Sequence, residues 1–177
     1  FGFAHFFVQD DQSVQLLKQI GITNVIRAGD TRFDRVAEIA RSGKQIPLVE
    51  KFKGDKLLVV AGSTWKPDEE ILARFIHSHP ETKFVIAPHE TKRANIDRLI
   101  NLLKTTTTCY TSATDDSVSN SQVLIVDTIG VLSTIYRYAD LSYIGGGFGV
   151  GIHNTLEAAI FGMPVVFGPN YLKFNEA

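Results

Sequence analysis

The chain has 177 residues, enough for one domain with a sizeable core. Its 44% hydrophobic and 21% charged residues are those of an ordinary soluble globular protein, and a net charge of −1 without a basic block argues against nucleic acid as a partner. Cys109, the single cysteine, permits no internal disulfide and fits a reducing compartment, while no apolar run approaches the ~18 residues of a membrane span and no signal peptide is visible.

Taken in order, residues 6–10 read as a short strand and residues 11–20 as a helix, with Val14, Leu17 and Ile20 on one face and Gly21 as its C-cap. Residues 24–28 are a strand. Residues 29–35 turn into a helix that ends near Ser42-Gly43, and residues 51–55 are polar and loop-like. From residue 57 the pattern becomes regular. Residues 57–61 form an apolar strand followed by the loop Gly62-Ser63-Thr64-Trp65-Lys66, and Pro67 opens a helix whose first turn is acidic, with Asp68, Glu69 and Glu70. That helix runs to about His77. Residues 84–87 are the next strand, ending in Pro88-His89-Glu90. A helix over 94–104 puts Ile96, Leu99, Ile100 and Leu103 on one side. Residues 106–111 are a β-branched strand, 112–122 a polar surface loop, 123–126 a buried strand, and 131–138 a helix. Strand 141–144, a glycine loop, its helix, and a last strand at 165–167 complete the order. Strands that are apolar throughout and alternate with helices imply a parallel sheet covered on both faces. Six β-α repeats from residue 57 onward predict an α/β fold, a Rossmann-like doubly wound domain. The chain begins at Phe1 inside an apolar run and stops at Ala177 as Phe174-Asn175-Glu176 opens a helix, which reads as a fragment of a longer protein.

The glycine loop organises the rest. Gly145, Gly146, Gly147, Gly149 and Gly151 fall within seven residues, a density that no strand or helix interior tolerates. Asn154 is a preferred N-cap, Glu157 stands in the capping-box position, and Leu156, Ala159 and Ile160 give the next helix an apolar face. Strand, glycine loop and helix N-terminus together predict an anion site, with phosphate the usual guest.

Ligands of such sheets bind outside the carboxyl ends of the strands. The polar residues at those ends are Ser63 and Thr64, His89 and Glu90, Asp127 and Thr128, His153, Asn154 and Thr155 beyond the glycines, and Lys173. Ser63 and Thr64 either start a helix or touch the ligand. Asp127 either caps the helix near Ile129 or touches the ligand. Glu157 serves as a capping partner and, one turn into its helix, can also reach a ribose. His77 and His79, two apart, do not share a helix face and read as surface rather than as metal ligands. No Cys/His cluster or H-E-x-x-H run suggests zinc. A dinucleotide dehydrogenase would carry its glycine fingerprint after the first strand and an acidic residue about twenty positions on. Here the glycines follow the fifth strand, which points instead to the nucleotide half of a two-domain glycosyltransferase.

These blocks resemble the C-terminal domain of 3-deoxy-D-manno-octulosonic acid (Kdo) transferases. They are Phe7-Val-Gln-Asp, Gly29-Asp-Thr-Arg-Phe-Asp, Gly62-Ser-Thr-Trp, Ala87-Pro-His-Glu, Asp127-Thr-Ile-Gly, Tyr143-Ile-Gly-Gly-Gly-Phe, Gly151-Ile-His-Asn-Thr-Leu-Glu-Ala and Phe167-Gly-Pro, in family order through nearly the whole chain. The resemblance implies the C-terminal half of a GT-B glycosyltransferase that binds the donor CMP-Kdo. It also implies inversion at the anomeric carbon without a metal ion or cofactor, and a lipid A precursor as acceptor in the full-length enzyme. The implied location is the cytoplasmic face of the inner membrane in Gram-negative bacteria, with membrane association through the missing N-terminal part. It assigns His89 to the phosphate as hydrogen-bond donor or acid, Asn154 and the glycine amides to cradling that phosphate, and Glu157 to the ribose hydroxyls. On this reading residues 1–22 end an N-terminal domain or interdomain connection, and residues 23–177 are the donor domain, truncated at its C-terminus. The acidic residue that deprotonates the acceptor lies in the absent domain, so the fragment is expected to be inactive alone. A UDP-sugar transferase or epimerase on the same fold stays open, as does a non-enzymatic nucleotide-binding domain, which the carboxylates and histidines at the strand ends argue against.

Overall fold

The computed structural model describes residues 2–174 and 176–177. The helix expected to open at Phe174-Asn175 falls on Asn175, outside the described residues. The first unit is a parallel pair, β1 (Phe6–Val8) and β2 (Val25–Arg27), joined by α1 (Asp11–Gln19). Asp10 caps α1 by accepting from the Ser13 amide at 2.7 Å. This pair forms a sheet of its own, so residues on both sides of position 22 share one βαβ unit. α2 (Thr31–Arg41) follows, capped by Asp30.

Residues 51–55, expected as loop, fall largely within a helix, α3 (Pro47–Lys53). Proline at its start is pre-set for helical φ, and Val49 and Phe52, one turn apart, are fully buried. Of the lysines that make the stretch look loop-like, Lys51 is exposed and Lys53 reaches Asp140 and the Tyr138 carbonyl.

The main sheet has six parallel strands in the order β5-β6-β4-β3-β7-β8. They are β3 (Leu58–Thr64), β4 (Lys83–Pro88), β5 (Thr107–Cys109), β6 (Val123–Ile125), β7 (Leu141–Ile144) and β8 (Val165–Phe167). Between them run α4 (Lys66–Ser78), α5 (Arg93–Leu103), α6 (Asp115–Asn120), α7 (Leu132–Ile135) and α8 (Leu156–Ala159). Side chains alternate across the sheet. Val59, Ala61, Phe84, Ile86, Val123 and Ile125 pack under α4 and α5, with Leu72, Ile76, Ile96 and Leu99. Leu58, Val60, Val85, Leu124 and Ile144 pack on the other face, with Val49, Phe52, Val118, Ile135 and Tyr136. The inner strands are therefore covered on both faces, as their apolar runs predict.

Three further expectations change. The polar stretch 112–122 contains α6, where Thr114 and Ser117 cap each other and Val118 is buried. One buried valine in a polar run gives too weak a period to read as helix. The helix over 131–138 is one α turn followed by a 3-10 turn at Tyr136–Tyr138. β3 extends through Gly62, Ser63 and Thr64, which were expected as loop. Its ladder with β4 is irregular between Gly62 and Thr64, and Ser63 takes a left-handed φ of 54°.

Candidate functional site

The strand order reverses between β3 and β7, which run parallel. From β3 the chain winds outward through β4 toward β5 and β6, then crosses back to place β7 on the other side of β3. The crevice of a doubly wound sheet opens at such a switch point. Ser63-Thr64-Trp65 leave β3 there, His89 follows β4, the glycine loop leaves β7, and Gly168-Pro169-Asn170 leave β8. The glycine loop thus sits at the carboxyl edge, as predicted.

Three glycines of the loop are required by close approach, Gly146 among them because a Cβ there would lie 2.2 Å from the Gly151 carbonyl oxygen at a left-handed φ of 92°. A Cβ on Gly145 would lie 2.3 Å from the Ser63 carbonyl oxygen, and one on Gly147 would lie 2.6 Å from Gly168 Cα. The loop backbone lies directly on the ends of β3 and β8. Gly149, by contrast, faces open space.

A carboxylate fixes this arrangement. Asp68, one turn into α4, is 1% exposed. It accepts from the Trp65 amide at 2.8 Å, the Tyr143 hydroxyl at 2.6 Å and the Gly146 amide at 2.9 Å. One side chain therefore joins the exit of β3, the body of β7 and the glycine loop. Bonds to a charged acceptor are each worth about 1.5–3 kcal/mol. Burial, with Asp68 adding to it, pushes the Tyr143 phenol above its usual range. Sequence alone casts Asp68 as a complement to a helix N-terminus; its partners on β7 and in the glycine loop lie 75 and 78 positions away.

Above this hub three rings cluster. Trp65 stacks on His89 with centroids 4.4 Å apart, and His89 stacks on His153 at 4.6 Å. Trp65 Nε1 donates to His153 Nε2 at 3.2 Å. The His89 amide donates to the Thr64 carbonyl at 2.9 Å, which sets the ring beside Trp65. Burial holds His153 below the ordinary histidine value; His89 adds to that and Asp68 opposes it. The structure brings His89 and His153 together, as their positions at strand ends suggest, and adds Trp65.

Beside the rings opens a cavity of about 330 Å³ lined by Thr64, Trp65, Lys66, Glu90, Asn95 and Arg98, among others. Glu69 forms its floor: 2% exposed, it accepts from Thr64 Oγ1 at 3.2 Å and pairs with Arg98. Asn95 Nδ2 donates to Glu90 at 2.8 Å. Lys66, Glu69, Asn95 and Arg98 lie on helix starts and faces where the sequence pattern signals only solvent-facing charge.

The remaining site residues separate. Asn154 Oδ1 accepts from the Leu156 amide at 3.0 Å, and Asn154 Nδ2 donates to Glu157 Oε1 at 3.3 Å. The N-cap of α8 is thus Thr155 rather than the expected Asn154, which lies one residue before it and bonds the first helical amide, and Glu157 answers the Asn154 side chain rather than its backbone amide. α8 is a single turn, with Leu156 and Ala158 buried and Ala159 and Ile160 exposed. This corrects the expected apolar face, and a helix this short supplies local amides rather than a macrodipole. Four of the five glycine amides are engaged inside the protein. Gly145 donates to Gly62, Gly146 to Asp68, and Gly149 and Gly151 to the Gly146 carbonyl. The amide cradle for phosphate expected from the glycines is therefore mostly occupied. Thr155 Oγ1 is buried without a protein partner among the described residues. Among the described residues Asp127 caps no helix; it accepts from the Thr111 amide at 2.9 Å and from the Thr111 hydroxyl, tying the turn after β6 to the 3-10 turn after β5. Thr128 is half-buried next to it. Tyr136 Oη sits where a Cβ on Gly62 would be, and burial pushes its phenol far up, with Glu157 adding to the effect. Glu157 therefore lies near the end of β3. Lys173 is exposed in the turn after β8 and makes no ion pair among the described residues.

The strand order, the switch-point crevice and the glycine loop define a domain of the GT-B class, shared by glycosyltransferases and sugar-nucleotide epimerases. No family model matches the chain. In sequence it is similar to the 3-deoxy-D-manno-octulosonic acid transferase of Rickettsia prowazekii, 30% identical over 98% of this chain and 38% of that protein. In structure it is similar to the C-terminal CMP-Kdo binding domain of WaaA from Acinetobacter baumannii, with a TM-score of 0.62 at 21% identity over 81% of this chain and 74% of that one. UDP-GlcNAc 2-epimerase from Neisseria meningitidis, bound to UDP-GlcNAc, shares the fold with a TM-score of 0.54 at 14% identity over 91% of this chain and 42% of that one. The resemblance to Kdo transferases carried by the sequence blocks is thus found along nearly the whole chain, which spans 38% of the length of the Rickettsia prowazekii relative. Among the described residues no helix is long and apolar enough to cross a membrane.

Proposed function

We propose that this chain is the donor-binding part of a Kdo transferase and that it binds CMP-Kdo in the crevice between β3 and β7. The observation that carries the reading is the ring cluster of Trp65, His89 and His153 at the switch point, in a chain whose sequence relatives are Kdo transferases. In CMP-Kdo a sugar acid is joined to one phosphate, and transfer releases CMP. Negative charge develops on that phosphate, and preorganised donors that meet it lower the barrier. His89 and His153 supply ring N–H groups, and the Asn154 turn supplies neutral donors beside them. Glu157 accepts from the ribose hydroxyls. With these donors in place the transfer proceeds with inversion and without a metal ion.

The acceptor is a lipid A precursor, bound by a part of the protein beyond this chain that also supplies the base and the contact with the cytoplasmic face of a Gram-negative inner membrane. The unit β1-α1-β2 belongs with that part or with the connection to it, and the donor domain takes up the chain after β2. This chain alone is then inactive as a transferase. A UDP-sugar epimerase reading rests on fold alone, whereas the sequence relatives point to Kdo transfer.

Titration calorimetry with CMP and with UDP, each with and without chelator, tests the proposal. CMP binding that survives the chelator and exceeds UDP binding is the expected result. Preference for UDP moves the chain to the epimerase group.

A further inference from the structure

The ring cluster carries an inference about protons. An indole nitrogen donates one hydrogen and accepts none. Trp65 Nε1 is bonded to His153 Nε2 at 3.2 Å, so Nε2 is the acceptor and carries no proton. The neutral ring then keeps its proton on Nδ1. Among the described residues Nδ1 of His153 makes no hydrogen bond to protein, and neither do the ring nitrogens of His89.

The stacked pair limits its own charge. With centroids 4.6 Å apart, two imidazolium rings repel, and the first proton to bind disfavours the second. The Trp65 ring lies against His89 at 4.4 Å and 22°. Trp65 therefore touches both histidines: its N–H stabilises neutral His153, and its ring packs on the face of His89.

We propose that Trp65 is a positioning residue that locks His153 as the neutral Nδ1–H tautomer, so that a nucleotide phosphate meets a neutral Nδ1–H donor beside the His89 ring. The ligand in this statement rests on the donor-binding reading; the tautomer rests on geometry alone. The groups that face His153 are Trp65 and Asp68 from the start of α4 and His89 from the turn after β4. Asp68 already accepts from Tyr143, Gly146 and Trp65, so its charge is shared among fixed donors.

Long-range proton–nitrogen NMR on chain labelled with ¹⁵N-histidine reads the tautomer directly. At neutral pH the wild-type chain is expected to show His153 protonated on Nδ1 and bare on Nε2. Trp65→Phe keeps a ring on His89 but removes the donor that favoured neutral His153. Its His153 should pass to a mixture of tautomers and titrate at higher pH. A protonated Nε2 in wild type overturns the proposal whether or not the variant folds. So does an unchanged tautomer and titration in Trp65→Phe. Saturation with CMP separates the two layers. Movement of the His153 and His89 ring resonances supports the donor roles, and CMP binding without such movement overturns them. Failure of CMP to bind at all overturns the donor-binding reading, while the spectrum of the free chain still decides the role of Trp65.

Discussion

Tyr143 donates to Asp68 across 2.6 Å, and through that bond the strand that launches the glycine loop is fixed to the first turn of α4. Both residues are buried, at 7% and 1% exposure, so the bond is formed away from water. The same carboxylate holds the Gly146 amide, which ties the loop's position to α4 as well as to its own glycines.

Replacing that carboxylate tests the dependence. Asp68→Asn keeps the shape but removes the charge and turns one acceptor into a donor facing the loop. About 1.5–3 kcal/mol of stability is expected to be lost, read as a lower midpoint in urea with unchanged slope. A midpoint within error of wild type would show that Asp68 is not the hub.

The glycines divide into two kinds. Gly145→Ala and Gly147→Ala each drive a methyl group into backbone atoms at 2.3 and 2.6 Å. Overpacking of this sort costs about 1–3 kcal/mol, and CMP binding is expected to fall with it. Gly149→Ala meets nothing within 4 Å and has no left-handed φ. It should leave both quantities unchanged. Equal effects of all three substitutions in paired calorimetry and denaturation would contradict the packing account.

Much of this was legible in the sequence, for a physical reason. The four inner strands of the main sheet, β6, β4, β3 and β7, are apolar because they are covered on both faces, so their existence and parallel pairing follow from composition. The glycine loop was equally visible, since only glycine tolerates backbone against backbone at Gly145 and Gly147. What stayed hidden depends on partners distant in the chain. Asp68 looks like an ordinary first-turn acid until Tyr143 and Gly146 are folded onto it. Trp65 looks like a helix-start residue until His89 and His153 flank it. The helix α3 was hidden differently, because Lys51 and Lys53 on either side of Phe52 masked the buried pair Val49 and Phe52.

His153 gives a pH dependence with a defined sign. Its folded-state pKa lies below the unfolded value, held there first by burial and then by His89. The stability tied to the neutral ring is therefore complete above about pH 6.5 and is lost as pH falls through the folded-state pKa. Melting temperatures of wild type and His153→Gln, measured from neutral to mildly acidic pH, should show wild type losing ground to the variant on acidification. Parallel curves would remove His153 from the account.

Glu157 separates a structural from a binding role. Gln in its place still accepts from Asn154 Nδ2, so thermal stability should barely move. A carboxylate that accepts from ribose hydroxyls is replaced poorly, and CMP affinity should fall about ten- to a hundredfold, the equivalent of a charged hydrogen bond. Unchanged affinity in Glu157→Gln would reduce Glu157 to a partner of the Asn154 side chain.

The most direct measurement is a crystal structure of the chain with CMP bound. The account predicts nucleotide density at the carboxyl ends of β3 and β7, with the phosphate against His89, His153 and Asn154 and the ribose at Glu157. Density at the amino ends of the strands, or a phosphate out of reach of both histidines, would contradict it.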